Sequence, residues 1–294
     1  MASMVDAASE YKRISGKNPL ILGFVPDLFF ASKIEVAAEM LIFQVKWFEQ
    51  KEQIALASSG PSVPQLAEHI TGPGFMLLEM ITALQPVLII FDLSNTTLPW
   101  REWLPMIKSA PATRRIPVVC FGAHVDGEKL KFARSAGADL VLARSAFAED
   151  LSGIIQRTAR IPDLSGLARA CSEKLSPLAV KGLEEFNRRE YFEAHETLEA
   201  AWNQDDSVGR ELYRAILQVA VAYLQIEREN YQGAMKMFLR LRQWIDPLPD
   251  TCRGVNIALL RSDAYQAQEE LSRIGMHGMQ NYDRSLLKPV LYKT

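Results

Sequence analysis

Pro86-Val87-Leu88-Ile89-Ile90-Phe91-Asp92-Leu93-Ser94 decides the fold of the first half of this 294-residue chain. Five large apolar residues follow one another without a break and end at an acid and a polar turn. A strand with one wet face would alternate; an unbroken run is what a strand covered by helices on both faces requires. Residues 116–121 repeat the pattern, and 19–25, 43–48 and 138–143 are further short aliphatic runs. Between them, 31–41, 76–84, 100–109, 127–136 and 146–158 carry apolar residues at helical three- and four-residue spacing. The alternation predicts five βα units over residues 18–160, a doubly wound five-stranded parallel sheet, preceded by an extension at 1–17.

Ligands of such sheets bind beyond the carboxyl ends of the strands. Those ends carry Asp27, Asp92, Gly122 with Ala123, and Arg144. Two carboxylates and a cation meeting there suit a divalent ion and a phosphoryl group. On these residues the segment resembles the response-regulator receiver family. Asp92 in Phe91-Asp92-Leu93-Ser94 stands at the phosphoacceptor position, and Gly137-Ala138-Asp139 leads into Val141-Leu142-Ala143-Arg144 as the family's Gly-Ala run leads into its last strand. The resemblance implies a flavodoxin-like fold and, in a complete site, an aspartyl phosphate formed with Mg²⁺.

Three positions depart from the family. It has adjacent acids after the first strand, where this chain has Pro26-Asp27. Its switching hydroxyl falls on Gly122, and its phosphate-binding Lys falls on Arg144, followed by Ser145 in place of Pro. Arginine keeps the charge without the point-like ammonium geometry. Phosphoryl transfer needs a metal to neutralise charge on the phosphoryl oxygens. The expectation is therefore a degenerate receiver that supplies a docking or dimerisation surface, with a phosphorelay receiver using Asp92 as an alternative. Because receivers often pair through their last helices, the resemblance also implies a homodimer or a protein partner. Residues 49–74, with Ser58-Ser59-Gly60-Pro61 and Gly72-Pro73-Gly74, are longer than a receiver needs there and are read as an extra loop or helix at the dimer face.

The βα rhythm stops at 161–175, where Ile161-Pro162-Asp163 and Ser165-Gly166 suggest a linker. Ser176-Pro177 then supplies an N-cap and a proline at the first helical position. Helices are predicted at 178–189, 190–203, 208–229, 231–244 and 262–274, so that 176–294 is all-helical. Tyr191-x-x-Ala194 with Leu198 recurs as Tyr231-x-x-Ala234 with Phe238, which suggests two similar hairpins in a closed tetratricopeptide-like bundle. The run 215–224 is apolar almost all round and belongs at the bundle centre, with Gln218 as its polar exception.

One helix carries the residues capable of chemistry. Phe192, His195, Glu199 and Trp202 fall at i, i+3, i+7 and i+10, on one face beside the apolar stripe Tyr191, Ala194, Leu198 and Ala201. His195 and Glu199 are expected to point partly into the bundle, where each needs a partner: the other, Gln218, Arg214 or an ion. His195-x3-Glu199-x2-Trp202 resembles the signature of domain-of-unknown-function family 309, and the likeness runs from Phe186-Asn187 through Gln218-Val219-Ala220-Val221 to Gly233-Ala234. It implies a helical domain and a metal-binding role for the motif; read from the residues, His195 and Glu199 are a hydrogen-bonded pair that fixes the helices, a divalent metal site or a small-ligand pocket, with Gln218 as a further metal or ligand candidate. In the corresponding enzyme reading Glu196 is the candidate base of a metal-dependent hydrolase. Zinc sites take three or four protein ligands, and His69, His124 and His277 lie outside any ligand spacing with His195.

Composition narrows the rest. A net charge of -2, with no dense Lys/Arg run, gives no footprint for nucleic acid. No run of about 18 apolar residues exists to span a membrane. Cys120, Cys171 and Cys252 are odd in number and far apart, so no disulfide framework is expected and a cytoplasmic location fits.

Overall fold

The structure is a computed structural model that describes residues 3–48 and 73–293; most of the 49–74 reading lies outside them. The chain divides into two compact units between Asp163 and Leu164.

In the first unit, strands β1 (Leu20–Phe24), β2 (Gln44–Trp47), β3 (Leu88–Asp92), β4 (Val118–Gly122) and β5 (Leu140–Ala143) form one parallel sheet in the order β2-β1-β3-β4-β5. This is the strand order of the flavodoxin-like fold that the receiver resemblance implies. Continuous burial of β3 and β4 follows from helices on both faces. Ile89 and Phe91 enter one core with α3 (Pro73–Leu84), α4 (Trp100–Ser109) and α5 (Gly127–Ser135). Leu88 and Ile90 enter the other with α2 (Leu28–Met40), α6 (Arg144–Glu149) and α7 (Leu151–Thr158).

Two local features differ from expectation. Residues 4–15 form a helix, α1 (Met4–Ser15), started by a Ser3–Asp6 capping box, and its Ala8 is buried in the second core. The helix predicted at 146–158 is two helices broken at Asp150. Its carboxylate accepts the Gly153 N–H at 3.1 Å and pairs with Arg157, so it starts α7 rather than continuing α6.

The second unit holds α8 (Leu167–Ser172), α9 (Pro177–Asn187), α10 (Tyr191–Gln204), α11 (Glu211–Glu227), α12 (Tyr231–Ile245) and α13 (Ile257–Ile274), with a two-residue hairpin β6 (Thr251–Cys252) and β7 (Val255–Asn256). Successive helices from α9 to α13 pack on one another. Ser176 caps α9, its Oγ accepting from Ala179 N–H. α9 and α10 approach closely because Gly182 has no side chain; a Cβ there would lie 2.7 Å from Leu198 Cγ.

The echo is structural. Tyr191, Ala194 and Leu198, and likewise Tyr231, Ala234 and Phe238, are all buried. Each Tyr follows a tight turn with a left-handed residue, Arg189 before the first and Glu229 before the second. A correction concerns the cysteines: Cys171 of α8 and Cys252 of β6 form a disulfide. Their sequence separation of 81 concealed the pairing, because the fold rather than the local chain brings them together.

Candidate functional site

The parallel register aligns the carboxyl ends of β3, β4 and β5, with Asp92 beside Phe121 and Gly122 beside Ala143. Asp92 and Arg144 therefore meet, as their strand ends require. The Asp92 side chain is 1% exposed. Its Oδ2 accepts from Arg144 Nη2 at 2.8 Å, and its Oδ1 accepts the Ser94 N–H at 2.8 Å. Arg144 is held from the other side by the Phe30 ring, 5.3 Å from its guanidinium carbon. Both carboxylate oxygens are thus engaged by the protein.

Asp27 is committed to a different task. It is the N-cap of α2, with Oδ1 accepting the Phe29 N–H at 3.0 Å. At Gly122 a Cβ would meet Leu93 Cβ at 3.3 Å and Leu130 Cδ2 at 3.6 Å. The place where the receiver family carries its hydroxyl is therefore bordered by apolar side chains. On the outside of the same unit, α2 exposes Leu28, Phe29, Val36 and Met40, all more than half open to solvent.

In the second unit, α10 places His195, Glu196 and Glu199 so that one ligand atom from each lies within 4.8 Å of the others. His195 Nδ1 is 3.1 Å from Glu196 Oε1. The partly inward orientation expected of the pair holds for His195, which is partly buried, and is corrected for Glu199, which is exposed like Glu196. The reason is angular. His195 borders the buried stripe of Tyr191, Ala194, Leu198 and Ala201, and Glu199 lies about 40° further round at 100° per residue. Phe192 is exposed as well.

Gln218 is buried on α11, and among the described residues its Oε1 has no hydrogen-bond partner; the same holds for Trp202 Nε1. The Trp202 ring instead stacks with cations, Arg210 at 5.0 Å and Arg214 at 4.6 Å, and Arg214 also lies 3.9 Å from the Trp244 centroid. Arg214 pairs with Glu211 at 3.6 Å. Chemically, one imidazole and two carboxylates form a donor set that fits an open three-ligand divalent site, with the remaining positions left to water. It does not fit a closed structural site.

The family model described as Domain of unknown function (DUF309) matches residues 180–237, which contain the His195, Glu199, Trp202 and Gln218 positions. The first unit is similar to response-regulator structures. The phosphorylated cyanobacterial phytochrome response regulator RcpA is 19% identical, covering 49% of this chain and 99% of its own, with a TM-score of 0.36. The Mn²⁺-bound response regulator Rcp1 is 18% identical over 49% and 99%, with a TM-score of 0.35. A signal receiver domain from Colwellia psychrerythraea 34H is 15% identical over 47% and 98%, with a TM-score of 0.34. No curated protein matches the chain. Among the described residues no helix is long and apolar enough to cross a membrane.

Proposed function

We propose that the chain is a non-catalytic regulatory or interaction protein, acting in the cytoplasm, whose first unit is a pseudo-receiver and whose helical unit binds a partner. The observation that carries this reading is the closed Asp92–Arg144 pair. A phosphoacceptor carboxylate needs one oxygen free for in-line attack and a metal beside it. Asp92 has one oxygen on a guanidinium and the other on a backbone N–H, and the Gly122 position beside it offers no hydroxyl and is bordered by Leu93 and Leu130. The exposed apolar residues Leu28, Phe29, Val36 and Met40 of α2 support a docking or homodimerisation role for the same unit, since apolar side chains grouped on a helix surface favour association. Acetyl phosphate or beryllofluoride with Mg²⁺ is expected to leave the wild type unmodified and its melting temperature unchanged. Phosphate incorporation that is lost in Asp92→Asn would overturn the reading and restore the phosphorelay alternative.

A second reading rests on the His195, Glu196 and Glu199 cluster: His195 and Glu199 would hold a divalent metal, which would supply Lewis-acid activation of water for hydrolysis, with Glu196 as the candidate base. Elemental analysis after dialysis against Zn²⁺ or Mn²⁺ tests it. A stoichiometric ion that is lost in His195→Ala supports the site, and no retained ion removes it.

A further inference from the structure

Cys171 lies in α8, a helix of six residues that is too short to persist by itself. What holds it is concentrated on one residue. Arg253, next to Cys252 in the chain, is buried and adopts a left-handed backbone at φ 50°. It grips α8 on both sides of Cys171. Its N–H donates to the Cys171 carbonyl at 2.7 Å, its Nε to the Ala170 carbonyl at 3.1 Å, and its Nη2 to Glu173 at 3.2 Å. The same guanidinium reaches the bundle, donating to Asp205, to Tyr213 Oη at 2.6 Å and to Ser207 Oγ at 2.8 Å. Gly209 leaves the room for it, since a Cβ there would lie 2.8 Å from Arg253 Nη2. The two cysteines are therefore kept in register by contacts that do not pass through sulfur.

We propose that Cys171 and Cys252 are a reversible dithiol–disulfide couple, opened by a dithiol reductant, in which the Arg253 clasp holds the sulfurs together while the bond is open. A reductant thiolate attacks Sγ of Cys171, which is buried but 8% exposed where Cys252 is 0%. The bond to Cys252 breaks, and Cys252 leaves as a thiolate and takes up a proton. The reductant's second thiol then displaces Cys171, which is protonated in turn, and the reductant departs as its own disulfide. Two electrons and two protons reach the pair. Cys120 does not compete: it is fully buried in β4, and burial pushes its thiol well above the ordinary range. The inference is independent of the readings of Asp92 and His195.

The test uses the full chain under native conditions with dithiothreitol, iodoacetamide and mass spectrometry. Two labels are expected, on Cys171 and Cys252, with none on Cys120 and an unchanged far-ultraviolet circular dichroism spectrum. The bond is expected to return when the reductant is replaced by oxidised glutathione. In Arg253→Met closure is expected to slow by about 10-fold, because the sulfurs lose their imposed proximity. If that variant fails to fold, Glu173→Ala with Tyr213→Phe removes outer contacts only and is expected to slow closure about 3-fold. Labelling that appears only with loss of the spectrum would make the bond a folding staple and refute the couple. Closure at the wild-type rate in the folded variants would refute the clasp.

Discussion

Replacing Arg144 by Met tests the closed pair at the strand ends directly. The substitution keeps much of the side-chain volume against Phe30 but leaves the Asp92 carboxylate buried with the Ser94 N–H as its remaining partner. Removing one member of a fully buried ion pair costs about 3–5 kcal/mol. Arg144 is 35% exposed, so part of the pair is already screened by water, and about 2–3 kcal/mol is the appropriate expectation here. For a domain of this size that corresponds to a melting-temperature drop of roughly 4–12 °C. Because the chain has two units, the readout must come from the first; hydrogen exchange at the β3 and β4 amides isolates it. The companion variants Asp92→Asn and Asp92→Asn/Arg144→Met close a thermodynamic cycle. With the charge removed, the second substitution is expected to cost at least about 1 kcal/mol less than it does alone. A neutral Arg144→Met, or strict additivity in the cycle, would refute the view that the two groups satisfy each other.

Gly122→Ser puts a hydroxyl back at the receiver's switching position, yet phosphoryl uptake from acetyl phosphate is expected to stay absent, because the oxygens of Asp92 remain engaged; uptake by radiolabel or phosphate-affinity gel would contradict this. Val36→Glu with Met40→Glu is expected to change stability by less than about 0.5 kcal/mol, both residues being exposed, while converting a dimer to a monomer in light scattering. Gly209→Ala is expected to destabilise the second unit by about 1–3 kcal/mol in urea denaturation, since its methyl meets Arg253 and Ala170. Asp205 fixes a pH dependence. Burial raises its pKa, but the hydrogen bonds from Ser207 and Arg253 outweigh burial and hold it below the ordinary carboxylate range. A depressed folded-state pKa gives stability that is present above the unfolded value, about 3.9, and lost as pH falls through the folded one. Proteolysis within 161–175 is therefore expected to accelerate below about pH 4, and a rate that stays flat to lower pH would count against the clasp.

The sheet was legible because burial on both faces leaves a mark in one dimension: Val87 to Phe91 and Val118 to Phe121 have no polar interruption, and both strands are wholly buried. The break at Asp150 was less visible, although Asp150-Leu151-Ser152-Gly153 contains the cap that makes it; a helical period running across a cap still looks like one helix. His195 and Glu199 were correctly placed side by side on α10, but their depth depends on how wide a stripe the neighbouring helices cover, and spacing alone does not contain that width. Arg253 was missed altogether. Its partners lie 40 to 83 residues away, and its remaining signal was the Arg253-Gly254 turn with both residues at positive φ.

The departures at Asp27, Gly122 and Arg144 make sense together as one balance of charge. A site with several carboxylates beyond the strand ends repels itself and must take up a cation. This chain has Pro26 where a second acid would stand, and the remaining Asp27 faces the first turn of α2, where the unpaired N–H groups of a helix stabilise its negative charge. What is left at the centre is one carboxylate and one guanidinium, a neutral pair at 2.8 Å. A divalent ion entering there would have to displace Arg144 from Asp92 and would leave a like charge beside the guanidinium. It would also find a single anionic ligand where Mg²⁺ ordinarily has one or two carboxylates plus phosphate oxygens. Restoring the acid alone, as Pro26→Asp, is therefore expected to yield no Mg²⁺ affinity detectable by calorimetry, whereas Pro26→Asp with Arg144→Lys supplies both a second carboxylate and a shorter, mobile cation and is expected to yield weak binding. Equal binding by the two variants would show that Arg144 does not keep the metal out.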